Sequence, residues 1–314
     1  MSKSISARIL DGAALARRIR ESLVGEGRLF VSRHGRPPGL VVLLVGDNPA
    51  SQVYVRNKGK ACEELGWYSE IRRYPASLGQ SELIREIDQL NEDPQVDGIL
   101  LQLPLPPHLD EQALLDRIRP EKDVDGFHPM NVGRLQLGLP APEPCTPSGV
   151  IRLLVEEGIP TAGRHAVILG RSNIVGKPLA QMLLRKGLGG DATVTVVHSR
   201  SKDVAVLCRQ ADILIAAIGS PRFVQADWVK SGATVIDVGM NRVSDPDAPR
   251  GTRLVGDVDF EAVGRVAGAI TPVPGAVGPM TIAMLLVNTM GCAWRHMQTG
   301  AEERSRPVSQ ADQS

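Results

Sequence analysis

Tyr54 and Lys58 stand four residues apart in a segment with helical apolar spacing, so one helix face would present a phenol and a primary amine together. In a cleft, desolvation favours the neutral amine, which can take a proton, while the tyrosine offers a flat apolar ring with a polar tip. Spacing alone leaves the commoner outcome standing, an exposed pair on an ordinary helix. Gln102, at the end of an apolar run, and Asp125, in the turn Lys122-Asp-Val-Asp-Gly126, add two polar groups, although an Asp-Gly turn by itself accounts for the aspartate. A second chemistry is written in Ala166-Val-Ile-Leu-Gly-Arg-Ser-Asn-Ile-Val-Gly-Lys-Pro178, an apolar strand leading into a glycine turn and a helix start. Gly170 can take backbone angles closed to other residues, and Gly176 lets the helix approach the sheet. Unpaired amides in the first turn of that helix, with Ser172 just before it, would then face a diphosphate. The spacing Gly-Arg-Ser-x-x-x-Gly departs from the commoner Gly-x-Gly-x-x-Gly.

The end of the next strand bears on which dinucleotide fits. NAD binders usually place an acidic residue there, whereas this chain has His198-Ser199-Arg200. Ser199 can donate to a 2′-phosphate and Arg200, or Arg171 from the glycine turn, can pair with it, which favours NADP. Taken singly, either arginine also reads as a solvated surface side chain.

The elements that must position these groups follow from apolar runs. Runs at 165–169, 192–197, 211–218 and 233–238, with helix-length segments between, predict a parallel sheet covered on both faces. A doubly wound sheet that binds no nucleotide remains open on those strands alone. Upstream, helices are expected at 11–24, 51–65 and 81–91, and strands at 39–45, 69–74 and 98–103, the last stopped by Pro104-Leu-Pro-Pro107. The fold class is therefore α/β in two lobes, an N-terminal α/β catalytic domain and a Rossmann-like doubly wound NADP-binding domain with a cleft between them. Boundaries are placed at 1–148 and 149–280, with an apolar helix at 281–298 returning to the first lobe and a disordered polar tail at 299–314.

Composition narrows the partners. The 314 residues carry 36 basic and 35 acidic side chains, a net charge of +1, and only 3% aromatics, which favours small molecules over nucleic acid or an anionic membrane. Cys62, Cys145, Cys208 and Cys292 are too widely spaced for a zinc site or a disulfide framework, so no metal is expected and reduced thiols suit a cytoplasmic protein. No signal-peptide core and no membrane-length run are expected.

Six segments together resemble one family. They are Val45-Gly-Asp-Asn-Pro-Ala-Ser-Gln-Val-Tyr-Val-Arg-Asn-Lys58, Asp97-Gly-Ile-Leu-Leu-Gln-Leu-Pro-Leu-Pro106, Pro120-Glu-Lys-Asp-Val-Asp-Gly-Phe127, Pro144-Cys-Thr-Pro-Ser-Gly149, the glycine turn through Pro178, and Thr271-Pro-Val-Pro-Gly-Ala-Val-Gly-Pro-Met-Thr281. In order and spacing they resemble the bifunctional methylenetetrahydrofolate dehydrogenase/methenyltetrahydrofolate cyclohydrolases over roughly residues 5 to 298. Ala276 departs from the pattern, which usually has a second glycine there.

The resemblance implies that NADP takes a hydride from 5,10-methylenetetrahydrofolate and that water then opens the methenyl product to 10-formyltetrahydrofolate. It implies Lys58 as the proton carrier, Gln102 as its positioner, Tyr54 against the pterin or benzoyl ring, and Asp125 accepting from the pterin's amide and amino groups. Pro274 and Gly275 are assigned to substrate; Gly170, Arg171, Ser172, Gly176, Ser199, Arg200, Ile236 and Thr281 are assigned to cofactor. A homodimer is expected on the same ground. The competing expectations are a dehydrogenase that has lost hydrolysis and a non-catalytic NADP-sensing module.

Overall fold

The computed structural model describes residues 5–248 and 251–305, with side chains as far as residue 298. In chain order, β1 (Arg8–Ile9) and α1 (Gly12–His34) precede β2 (Gly39–Val45), α2 (Pro49–Glu64), β3 (Tyr68–Tyr74), α3 (Gln80–Glu92), β4 (Gly98–Leu101) and α4 (Glu111–Leu115). There follow α5 (Pro129–Leu137), α6 (Cys145–Glu156), β5 (His165–Leu169), α7 (Gly176–Leu184), β6 (Thr193–Val197), α8 (Val204–Arg209), β7 (Ile213–Ala216) and β8 (Thr234–Asp237). The chain closes with β9 (Asn241–Ser244), β10 (Thr252–Val255), α9 (Phe260–Val263), β11 (Ala269–Ile270) and α10 (Val277–Ser305).

Two compact units result. One holds the residues up to Glu21 with Pro129–Leu285, the other Ser22–His128 with the chain from Leu286 onward. The division thus falls after His128 rather than at residue 148, because α5 packs on α7. The opening segment also joins the later unit, since β1 pairs in parallel with β11. Helices α1 and α10 each run from one unit into the other.

The smaller unit is built on a parallel sheet ordered β3-β2-β4. Every residue of β2 and β4 is buried, which is why both read as unbroken apolar runs rather than alternating ones. Val41, Leu43, Ile99 and Leu101 pack with Leu83, Ile87 and Leu90, the apolar stripe of α3. Beside the sheet, Asp97 is fully enclosed and accepts from both arms of Arg36 at 2.7 Å, from the Gly39 amide at 2.9 Å and from His296 Nδ1 at 2.8 Å. Burial pushes its carboxyl upward, but Arg36, His296 and the amide outweigh that and hold it below the ordinary carboxylate range. Trp294 meets Phe30 and His34 edge to face, with those two rings tilted at 47° to each other, which docks α10 on α1.

The larger unit is a six-stranded parallel sheet, ordered β1-β11-β8-β7-β5-β6. The four anticipated strands run from the β6 edge inward to β8, and two strands of two residues each, β11 and β1, extend the other side past what periodicity can register. The chain runs from β5 outward to β6 and then returns to β7 on the other side of β5, so the carboxyl end of β5 is the switch point where open parallel sheets take ligands. β9 and β10 form a separate antiparallel hairpin.

Two terminal expectations change. Within α10, the 22 residues Val277–Gln298 are long and apolar enough to cross a bilayer by length and composition, contrary to the sequence reading. With 61% of its window buried inside the protein, that helix spends its apolar side chains on protein cores. Residues 299–305, expected in the tail, continue α10, while 306–314 lie outside the described residues.

Replacing Asp97 by alanine strands a nearly buried guanidinium. We expect a loss of about 3–5 kcal/mol from the smaller unit, read by urea denaturation; a loss below about 1 kcal/mol would show that the pair is not integral to it.

Candidate active site

Helix α2 starts on Asn48, whose side chain accepts from the amides of Ala50 and Ser51, with Pro49 in the first turn. Its inner stripe is Ser51, Val55, Lys58 and Cys62, so Lys58 occupies a core position and is only 7% exposed. That removes the exposed-pair alternative. Lys58 Nζ donates to Gln102 Oε1 at 3.1 Å, and Gln102 Nε2 donates to the Leu103 carbonyl at 2.7 Å, which fixes the amide with its oxygen toward the amine. The Gln102 backbone extends the sheet one residue beyond β4 by donating to Leu43 O at 2.9 Å. Among the described residues Lys58 has no carboxylate partner, and its two remaining N–H directions make no hydrogen bond. Tyr54 is half-buried one turn earlier, and burial pushes its phenol up from its ordinary pKa.

Asp125 is half-buried in a loop whose shape is set by its neighbours. Asp123, itself buried, accepts from the amides of Gly126 at 3.0 Å and His128 at 2.8 Å, closing the turn in which Gly126 takes a φ of +69°. Asn288 of α10 donates to Val124 O at 2.8 Å. Beneath, a side chain at Gly98 would lie 2.4 Å from Val124, so glycine is needed for the loop to seat. Lys122 anchors the entry by donating to Leu90 O at 2.9 Å and Asp93 O at 2.8 Å, with burial pushing its amine down to about 8. Asp123, Lys122 and Asn288 escaped sequence reasoning; for Asp123 the Asx-turn spacing in Asp-Val-Asp-Gly was the available signal.

In the larger unit, Gly170 has a φ of +118°, and a Cβ there would fall 2.2 Å from Ala217 O; one at Gly176 would fall 2.1 Å from Gly170 O. Both glycines are therefore required by close backbone packing. The donors differ from those expected, however. Ser172 Oγ accepts from Val175 N at 3.2 Å and Gly176 N at 3.4 Å, and its carbonyl accepts from Lys177 N at 3.1 Å, so the leading amides of α7 are already used. Among the described residues, the amides of Arg171, Ser172, Asn173 and Ile174 make no hydrogen bond, and all four residues are exposed. The anion-binding donors thus lie in the turn before the helix, and this run of free amides fits a dinucleotide phosphate.

Leu169 and Val197 are register partners on β5 and β6, so Arg171 and Ser199, each two residues further on, leave the sheet at one level. Ser199 and Arg200 are exposed in a turn closed by Ser201 N to His198 O at 2.8 Å. Pro274 is exposed, and Gly275 has a φ of +126° with its carbonyl accepting from Ala13 N at 2.9 Å. Ala276 has no positive φ and is packed against Gly12, where an added Cβ would meet its carbonyl oxygen at 2.5 Å, so a second glycine is not needed there. Thr281 Oγ1 donates to Val277 O at 3.0 Å and accepts from Thr146 Oγ1 at 2.9 Å. Ile236 lies inside β8, one residue before its end, with no exposed surface. The exposed residue at that strand's end is Met240, 38% exposed, with its Cε 3.3 Å from where a Cβ on Gly278 would sit.

Sequence reasoning also missed two enclosed carboxylates. Asp257 accepts from the amides of Ile218 at 2.7 Å, Gly219 at 2.9 Å and Ser220 at 2.9 Å, and from Asn241 Nδ2 at 2.8 Å. Asp237 accepts from the amides of Gly239 at 3.0 Å, Asp257 at 2.9 Å and Val258 at 2.9 Å. Burial pushes the Asp237 carboxyl up to about 7; the charge of Asp257 adds to this, and the amides oppose it.

A six-stranded parallel sheet with a free-amide turn at its switch point defines a dinucleotide-binding unit, joined in this chain to an α/β unit with a buried lysine. Residues 144–297 match the model described as tetrahydrofolate dehydrogenase/cyclohydrolase, NAD(P)-binding domain, and residues 10–125 match the catalytic domain of the same name. The chain belongs to the tetrahydrofolate dehydrogenase/cyclohydrolase family. It is 56% identical over 292 residues to the bifunctional protein FolD of Moorella thermoacetica, covering 92% of this chain and 99% of the relative. Among solved structures it is similar to the FolD enzyme of Campylobacter jejuni, at 49% identity and TM-score 0.86, covering 92% of this chain and 99% of that one. It is similar also to the Trypanosoma brucei FolD solved with NADP and an inhibitor, at 44% identity and TM-score 0.88, covering 93% and 99% respectively.

Because the carboxyl of Asp237 titrates near 7 in the folded unit and near 3.8 as an ordinary aspartate, the folded chain holds a proton that the unfolded chain has released between those values. Its contribution to stability therefore falls as pH rises through that window, by at most about 1.4 kcal/mol per pH unit. Asp237→Asn is expected to flatten the decline of Tm between pH 5 and 7.5 by scanning calorimetry; parallel wild-type and variant curves would contradict it.

Proposed function

We propose that this protein oxidises 5,10-methylenetetrahydrofolate with NADP and hydrolyses the methenyl product to 10-formyltetrahydrofolate. The observation that carries the reading is Lys58, a buried amine with one neutral hydrogen-bond partner and no counter-ion among the described residues. NADP, when bound, accepts the hydride. The residues assigned to hold it are Gly170, Arg171, Ser172 and Gly176, with Ser199 and Arg200 at the 2′-phosphate and Thr281 beyond. The preference for NADP over NAD follows from the absence of a carboxylate in His198-Ser199-Arg200.

Hydride departure leaves a cation delocalised over the folate nitrogens, so this step asks the protein for alignment more than for acid or base. Tyr54 is assigned to the substrate ring and Asp125 to the pterin's amide and amino hydrogens, and the substrate residues assigned on the larger unit are Pro274 and Gly275. Hydrolysis asks for a proton carrier, because the attacking water must lose one proton and a folate nitrogen must gain one. As a neutral amine, Lys58 keeps one N–H on Gln102 Oε1 and turns its lone pair to the water; as an ammonium it returns the proton. Gln102 suits this work because it orients the amine without fixing its charge. The protein acts as a cytoplasmic homodimer in one-carbon metabolism.

Lys58→Arg keeps the charge but cannot cycle a proton. It should lower hydrolysis of methenyltetrahydrofolate by about 100-fold or more while reducing hydride transfer far less; full hydrolysis in the variant would remove lysine from the proton step. Arg171→Ala should raise KM for NADP about 10-fold without a matching change for NAD, and equal effects on both would place Arg171 away from the 2′-phosphate.

A further inference from the structure

We propose that Asp257, with Asp237 behind it, is a positioning residue for the dinucleotide, acting as a template on which the loop bordering the glycine turn is moulded. The inference rests on the NADP-binding reading above. Gly170 at the end of β5 lies directly against the Ala217 carbonyl, and the next three amides, Ile218, Gly219 and Ser220, all turn inward to the Asp257 carboxylate. The loop after β7 is thereby bent around a side chain with no exposed surface, which acts through the loop amides it holds. Asp237 extends the construction. Its carboxylate accepts from the Asp257 amide and from Gly239, and its own backbone amide donates to Thr271 Oγ1 at 2.7 Å, so the ends of β7, β8 and β11 are all bonded to these two aspartates.

Packing explains the glycines beside them. A Cβ at Gly239 would sit 2.2 Å from Asp257 Oδ1, and one at Gly256 would sit 1.8 Å from Asp237 Oδ2. Carboxylates are the chemically suited groups here, because every partner is a donor. Oδ2 of Asp257 receives Ile218 and Gly219, and Oδ1 receives Ser220 and Asn241. An asparagine in either orientation would set an NH2 against two N–H donors, leaving buried amides unsatisfied. The ends of these strands are where dinucleotides lie in open parallel sheets, so loosening that loop should be felt as cofactor affinity.

The test is calorimetric titration of the full chain with NADP and with NAD. Asp257→Asn should weaken NADP by about 10-fold or more, and Asn241→Ala, which removes one of four donors, by about 3-fold. The NADP-to-NAD affinity ratio should stay unchanged, because the 2′-phosphate contacts are untouched; a collapse of that ratio would instead make Asp257 part of the phosphate site. Cofactor-free hydrolysis of methenyltetrahydrofolate should stay within about twofold of wild type, which a globally damaged protein would not manage. NADP affinity within about twofold of wild type in folded Asp257→Asn would overturn the proposal. Should that variant fail to fold, unchanged affinity in Asn241→Ala overturns it. Wild-type protein that binds no NADP would refute the functional reading itself.

Discussion

The hydrogen bond from Lys58 to Gln102 is the constraint on which the rest depends. Burying an amine is costly unless something receives its protons, and the usual remedy is a carboxylate. This chain supplies a neutral amide whose own NH2 is pinned to the Leu103 carbonyl, so the amine is oriented while its charge is left unmatched. The smaller unit serves that arrangement. Helix α2 carries Lys58 on its inner stripe because Val55 and Cys62 lie one turn to either side, and β4 delivers Gln102 at the residue where the buried sheet ends.

A common device shapes the loops of both units. Enclosed aspartates accept backbone amides from segments that have no strand or helix to satisfy them, as Asp123 does for the Asp125 turn and Asp237 and Asp257 do at the ends of β7 and β8. Asp97 does similar work for Gly39 while pairing with Arg36. Each carboxylate substitutes for missing backbone acceptors, which gives irregular chain a defined geometry beside rigid parallel strands. Where the amides are left free, at Arg171 through Ile174, the loop is available to an anion instead.

Much of this was legible in the residues. Strands β2 and β5 fall on their anticipated positions because a strand buried on both faces is an uninterrupted apolar run with sharp ends. Strands of two residues, β1 and β11, carry no period and escaped, and with them the membership of the opening segment in the larger unit. Tyr54 and Lys58 were visible as a pair, but spacing could not say that Lys58 lies on the buried side; the flanking Val55 and Cys62 held that information. The strand-turn-helix pattern puts the free amides one turn too late, because Ser172 Oγ competes locally for the leading amides of α7. Asp237 bonds to backbone 20 and 21 positions away and Asp257 to backbone 37 to 39 positions away, and amides leave no mark in a sequence; the nearby Gly239 and Gly256 were the one trace of their close packing.

The central claim is that hydrolysis depends on a lysine kept without a fixed counter-ion, and Gln102→Glu addresses it most directly because it installs one at hydrogen-bond distance. The measurement is the pH–rate profile of methenyltetrahydrofolate hydrolysis, with hydride transfer followed in parallel. A carboxylate there should hold the ammonium, suppressing hydrolysis at neutral pH and moving its rise to more alkaline pH, while hydride transfer persists. A hydrolysis profile identical to that of the wild type would contradict the account.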